Sequence, residues 1–91
     1  MSGGHFDYKQ YYIGEIADEI ARIVKDEEER HITERHYESG SIDAMKEAYR
    51  VLLKAEVYAR RIDLLVSGDD SDETFAKRLH KELSEVGHAN L

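Results

Sequence analysis

The sequence predicts an all-α protein: a helical hairpin of two longer antiparallel helices plus a shorter helix, forming one domain over residues 1–91 and assembled as a homo-oligomer. Three observations carry this. Apolar residues recur at the i, i+3, i+4, i+7 spacing of amphipathic helices. Proline is absent and the β-branched residues never fall into an alternating run, so no strand is expected. Two breaks, Ser39-Gly40-Ser41 and Ser67-Gly68-Asp69-Asp70-Ser71, divide the pattern into three. Assembly follows from size, because a chain this short buries a modest share of its surface, and without cysteine it has no disulfide or thiolate metal site to compensate.

The first helix is defined by Tyr12, Ile13, Ile16, Ala17, Ile20, Ile23 and Val24. The charged stretch from Lys25 to Tyr37 is expected to continue it, since it contains good helix formers and opposite-sign pairs such as Asp26 and Arg30 four residues apart. Ser39-Gly40-Ser41 then reads as a helix stop followed by a fresh serine cap, which places a tight hairpin there.

The second helix, about 42 to 66, carries two apolar rows: Met45, Tyr49, Leu52, Ala59 and, beside it, Ala44, Ala48, Val51, Ala55, Tyr58, Ile62, Leu65. Such a face is wider than one neighbouring helix covers. Packing on the first and third helices and packing on another subunit explain it equally well. A third helix, about 71 to 86, shows Phe75, Leu79, Leu83 and Val86 on one edge, with Asp70 as the expected N-cap facing Glu73.

A net charge of -7 argues against nonspecific attraction to DNA, RNA or an anionic membrane. No stretch reaches the roughly 20 apolar residues of a membrane span, and the opening residues lack signal-peptide character, so a cytoplasmic location is expected. Glu28 with His31, and Glu85 with His88, have the i, i+3 spacing of bundle metal ligands, but such a site also needs inward-facing glutamates from other helices, and His31 lies in the charged stretch while His88 follows the last helix. No nucleophile with an oriented base and no Gly-rich phosphate loop is present, so neither an enzyme nor a bound cofactor or metal is expected.

Two features point to ligand binding. His5, Phe6, Tyr8, Tyr11 and Tyr12 crowd the segment before the first stripe, and helical spacing cannot bury them all. Rings left exposed are platforms for stacking nucleobases, although a subunit contact accounts for them as readily. Arg60-Arg61 precedes the Ser67-Gly68-Asp69 turn and Lys77, Arg78 and Lys81 follow it. A glycine turn opening a helix offers N–H groups to a phosphate and arginines add charge, so Arg61 and Arg78 are candidates for phosphate contact, with a solvated basic edge as the alternative.

The opening Met1-Ser2-Gly3-Gly4-His5-Phe6-Asp7-Tyr8-Lys9-Gln10-Tyr11, with Ser67-Gly68-Asp69-Asp70-Ser71-Asp72-Glu73-Thr74-Phe75 and Arg78-Leu79, resembles short proteins of phages and prophages, and within them the anti-CBASS cyclic-oligonucleotide sponges. The resemblance implies a short N-terminal helix and two longer antiparallel helices in a compact homo-oligomer, a hexamer being one option, in the host-cell cytoplasm. It implies stoichiometric capture of cyclic dinucleotides, such as cyclic GMP-AMP, or cyclic trinucleotides at subunit boundaries, without hydrolysis, which blocks the host's antiviral effector. Tyr11 then corresponds to the base-stacking tyrosine and Lys25 to a ligand-contacting lysine, while Ser67, Gly68, Asp69 and Thr74 form the opposing loop of a neighbouring subunit. The competing reading is an acidic interaction protein that inhibits a host nucleic-acid-binding enzyme through the glutamates between Asp26 and Glu38.

Overall fold

The computed structural model describes residues 4–89 and 91, so Met1, Ser2 and Gly3 of the opening motif lie outside the described residues. Among the described residues three α-helices follow one another: α1 (Gln10–Glu29), α2 (Ser39–Val66) and α3 (Asp72–Val86). No strand occurs among the described residues, and none of their helices is long and apolar enough to cross a membrane. The longest helix is in the middle and the shortest is last, whereas the resemblance led to a short helix at the N-terminus.

α1 runs antiparallel to α2. Gln10 at its start meets Asp63, and Glu28 near its end meets Lys46 at 2.7 Å. α3 turns back along α2 so that Glu82 reaches Arg60 and Arg61. α2 is therefore the central element, and the molecule is a flat slab of 53 × 24 × 16 Å.

The face of α1 turned to α2 carries Gln10, Ile13, Ala17, Ile20, Val24 and Glu27, of which Gln10, Ala17, Val24 and Glu27 are buried. Tyr12 and Ile16, expected in that stripe, stand 63% and 54% exposed. Among the described residues the buried apolar ones are Ala17, Val24, Ile42 and Val57. The expected edge of α3, Phe75, Leu79, Leu83 and Val86, is half-buried throughout.

The continuation of α1 to Tyr37 is overturned. The helix ends at Glu29, Arg30 is extended (φ −84°, ψ 151°), and a 3₁₀ turn over Ile32–Glu34 follows. Charge chemistry stops it. The Arg35 guanidinium donates to the carbonyls of Glu27 (3.0 Å) and Glu28 (3.4 Å), which satisfies helix-end acceptors. The buried Glu27 carboxylate accepts from the backbone N–H groups of His36 (2.8 Å) and Tyr37 (3.4 Å) and pairs with His36 Nδ1 at 2.7 Å. A charged stretch with good helix propensity is thus a turn built around one carboxylate. The hairpin lies at 30–38, and Ser39-Gly40-Ser41 is the first turn of α2, with Glu38 rather than a serine at its N-cap.

The second turn also differs in detail. Ser71, not Asp70, caps α3: its Oγ accepts from Thr74 N at 3.2 Å, and its own N–H donates to Thr74 Oγ1 at 3.0 Å. Gly68 sits at φ +83°, in the left-handed region where a β-carbon would be strained.

Candidate functional site

Residues 4–9 form a hook of successive turns against α2. Asp7 N donates to Gly4 O, Lys9 N to Phe6 O and Tyr11 N to Tyr8 O. The hook requires the left-handed conformation at two adjacent non-glycine residues, Asp7 (φ 57°) and Tyr8 (φ 61°), a state that costs roughly 1–2 kcal/mol per residue.

Asp63 holds it in place. Its carboxylate, 1% exposed, accepts from Phe6 N at 3.0 Å and from the Gln10 side-chain amide at 3.4 Å. A buried carboxylate is retained when hydrogen bonds replace its water, and two donors from the N-terminal segment do so here. A cavity of about 470 Å³ between hook and helices is lined by His5, Phe6, Lys9, Gln10, Ile13 and Ala59, among others.

The anchorage turns the tyrosines outward. Tyr8 and Tyr11 are 55% and 49% exposed, their rings 6.4 Å apart and inclined by only 16°. Two nearly parallel exposed rings on a pinned hook form an aromatic surface whose geometry is set before any ligand arrives.

Beside the hook, a groove of about 600 Å³ between α2 and α3 is lined by Arg60, Arg61, Arg78, Lys81, Glu82 and Glu85. Asp70 organises it. Its side chain, 1% exposed, lies 3.4 Å from Arg61 Nη1 and 3.2 Å from Arg78 Nη1, and accepts from Thr74 Oγ1 at 2.6 Å. Glu82 pairs with both Arg60 and Arg61. Arg61 is 12% exposed and locked, whereas Arg78 is 57% exposed on the rim. Lys81 forms no ion pair among the described residues.

The turn does not present the open N–H cradle that its glycine implied. Ser67 N donates to Asp63 O, Gly68 N to Leu65 O and Asp69 N to Leu64 O, while Thr74 N is taken by Ser71. The N–H groups of Ser67, Gly68, Asp69 and Thr74 are thus engaged within the chain, and what the adjoining groove offers an anion is the side-chain charge of its arginines and Lys81.

The sequence-derived residues therefore fall into two groups. Tyr8, Tyr11, Arg61, Ser67, Gly68, Asp69, Thr74 and Arg78 belong to one end of the molecule, where Ala59 lines the hook cavity and Arg60 and Arg61 line the groove. Lys25 does not join them. It lies 14 residues along α1 from Tyr11, about 21 Å at the helical rise, in a separate hollow with Ala21, Arg22, Val24, Glu28, Glu29 and Leu91. Within one chain, Tyr11 and Lys25 cannot touch the same small ligand.

Gln10 and Asp63 escaped the sequence reading, and Asp70 was read as a helix cap and not as the partner of Arg61 and Arg78. Asp63 carried a signal, as a lone carboxylate between Ile62 and Leu64 in the apolar part of α2. Asp70 was visible in the acidic run, but reading it as a cap concealed its part in holding the arginines. No family model, curated protein or solved structure matches the chain, so any functional reading rests on these residues and on the resemblance of its two terminal motifs.

Proposed function

We propose that the protein is a phage-encoded immune-evasion factor that sequesters cyclic dinucleotide or trinucleotide messengers without cleaving them. The observation that carries this reading is the exposed, nearly parallel Tyr8 and Tyr11 pair on an anchored hook, next to a groove with four cationic side chains. Aromatic faces take bases, worth about 1–3 kcal/mol per stacked base, and guanidinium groups take phosphates. The distance between Tyr11 and Lys25 supports a site shared by two subunits, with the aromatic end of one chain facing the Lys25 region or the Ser67–Thr74 corner of another. A self-assembled cytoplasmic binder fits this arrangement.

The glutamate-rich segment gives less to the alternative, an acidic inhibitor of a host enzyme. Glu27 is buried and Glu28 is tied to Lys46, so much of that charge is engaged internally.

Calorimetric titration with 3′,3′-cyclic GMP-AMP tests the proposal. Tight binding, fewer than one ligand per chain, intact ligand recovered after denaturation, and about 10- to 100-fold weaker binding for Tyr11→Ala are expected from the loss of one stacked base. Absence of heat together with absence of thermal protection defeats the reading, as does recovery of hydrolysed ligand.

A further inference from the structure

The row Ala44, Ala48, Val51, Ala55, Tyr58, Ile62, Leu65 steps by four and three residues alternately along α2. This is the 3.5-residue repeat of a two-helix seam, sustained over 22 residues. The row beside it, Met45, Tyr49, Leu52 and Ala59, keeps the same spacing but is half-buried throughout, so exposure and not period sets the first row apart.

The chain leaves this seam largely uncovered. Ala44 is exposed, Val51 is 53% exposed, Tyr58 46% and Ile62 36%, while the intervening Ala48, Ala55 and Leu65 are half-buried. Neither α1 nor α3 covers it.

Overall dimensions say how much surface is missing a partner. The accessible surface is 6299 Å², about 900 Å² more than the roughly 5,400 Å² typical of a folded monomer of this mass. A standard interface removes about 800 Å² per partner. The radius of gyration is 16.1 Å, against about 12 Å for a compact domain of this length.

Side-chain size along the seam selects both the occupant and the direction. The first half holds the small residues Ala44 and Ala48, and the second half holds Tyr58, Ile62 and Leu65. Against a parallel copy, small would meet small at one end and tyrosine would meet tyrosine at the other, leaving a gap and a clash. Against an antiparallel copy in the usual alternating register, Ala44 meets Ile62, Ala48 meets Tyr58 and Val51 meets Ala55, and the two-fold axis repeats each layer. Each of these three layers joins one alanine to one larger residue, as close packing of two backbones requires, and the end layer sets Leu65 against the small Ser41.

We infer that a second copy of this chain docks on α2 antiparallel to it, with the two-fold axis passing between Val51 and Ala55. The inference deepens the self-assembly part of the proposed function and does not depend on the identity of the ligand.

The absence of native cysteine makes the test direct. In the full chain, Ala48→Cys combined with Tyr58→Cys should give an oxidised covalent dimer, whereas Ala48→Cys alone should stay uncrosslinked because its symmetry mate lies about ten residues away. Ready self-crosslinking of Ala48→Cys would indicate a parallel pair and overturn the inference, as would failure of the double variant to crosslink. A second measurement guards against misfolded variants: Val51→Lys with Ile62→Lys should reduce the native assembly in sedimentation, with unchanged helical circular dichroism. A native chain sedimenting at 10.5 kDa at tens of micromolar also refutes the pairing. These outcomes separate from the titration, since a chain that crosslinks as expected but binds no cyclic nucleotide keeps this inference and loses the other.

Discussion

Single carboxylates set the local geometry at three places, and each is buried because backbone or guanidinium donors replace its hydration. Asp63 fixes the hook that presents Tyr8 and Tyr11, Asp70 gathers Arg61 and Arg78, and Glu27 closes the first connection. Asp63→Ala leaves the Phe6 N–H and the Gln10 amide without their acceptor, which costs about 1–3 kcal/mol for buried groups. The expected result is a lower urea midpoint together with weakened ligand binding, because the hook loses its anchor while the tyrosines remain present. A variant as stable as the native chain would show that water replaces the carboxylate without loss. The left-handed Asp7 and Tyr8 belong to the same balance: backbone strain at an exposed aromatic persists only where neighbouring contacts impose it.

Helix ends follow from such residues more than from propensity. α1 stops where Arg35 takes its last carbonyls, and α3 starts where Ser71 and Thr74 exchange hydrogen bonds. The acid response of the first connection has a defined sign. Hydrogen bonding from the His36 ring, helped by the His36 and Tyr37 N–H groups, holds the Glu27 carboxyl below the usual carboxylate range, against burial, which pushes it up. A carboxyl depressed on folding stabilises the native state above its ordinary value, about pH 4.3, and that contribution disappears as pH falls through the lowered folded value. Glu27→Gln should therefore lower the urea midpoint clearly at pH 7, with the gap to the native chain narrowing toward pH 3. A gap that widens in acid would contradict this.

At the scale of the whole molecule, the small core and the large surface belong together. The four buried apolar residues among the described residues cannot by themselves offset the chain entropy of a 91-residue domain, and the uncovered seam of α2, with Val51, Tyr58 and Ile62, is one place where further apolar area is left to bury. Thermal unfolding is accordingly expected to depend on protein concentration, because association stabilises the native state by mass action. A midpoint unchanged over a hundredfold dilution from tens of micromolar would show that the folded chain stands alone. A ligand held between subunits would raise the midpoint further and flatten that dependence, which links assembly to capture in one measurement.

The helical class, the three helices, the Gly68 turn and the apolar edge of α3 were legible in the residues, because periodicity is a local property of the chain, whereas Ser39-Gly40-Ser41 looked like a break and opens α2 instead. The extent of α1 was not. Its charged continuation has helical propensity, and only the tertiary approach of Arg35, His36 and Tyr37 to Glu27 makes a turn cheaper than two more helical turns. The candidate site divides in the same way. Tyrosine crowding and paired arginines were visible as composition. That Asp63 turns the tyrosines outward and that Asp70 and Glu82 hold the arginines were decided by long-range contacts, whereas the roughly 21 Å between Tyr11 and Lys25 follows from the rise of α1 alone. Residue type sets what a side chain can bind, but convergence on one ligand depends on distances that only the packed chain, or two packed chains, can fix.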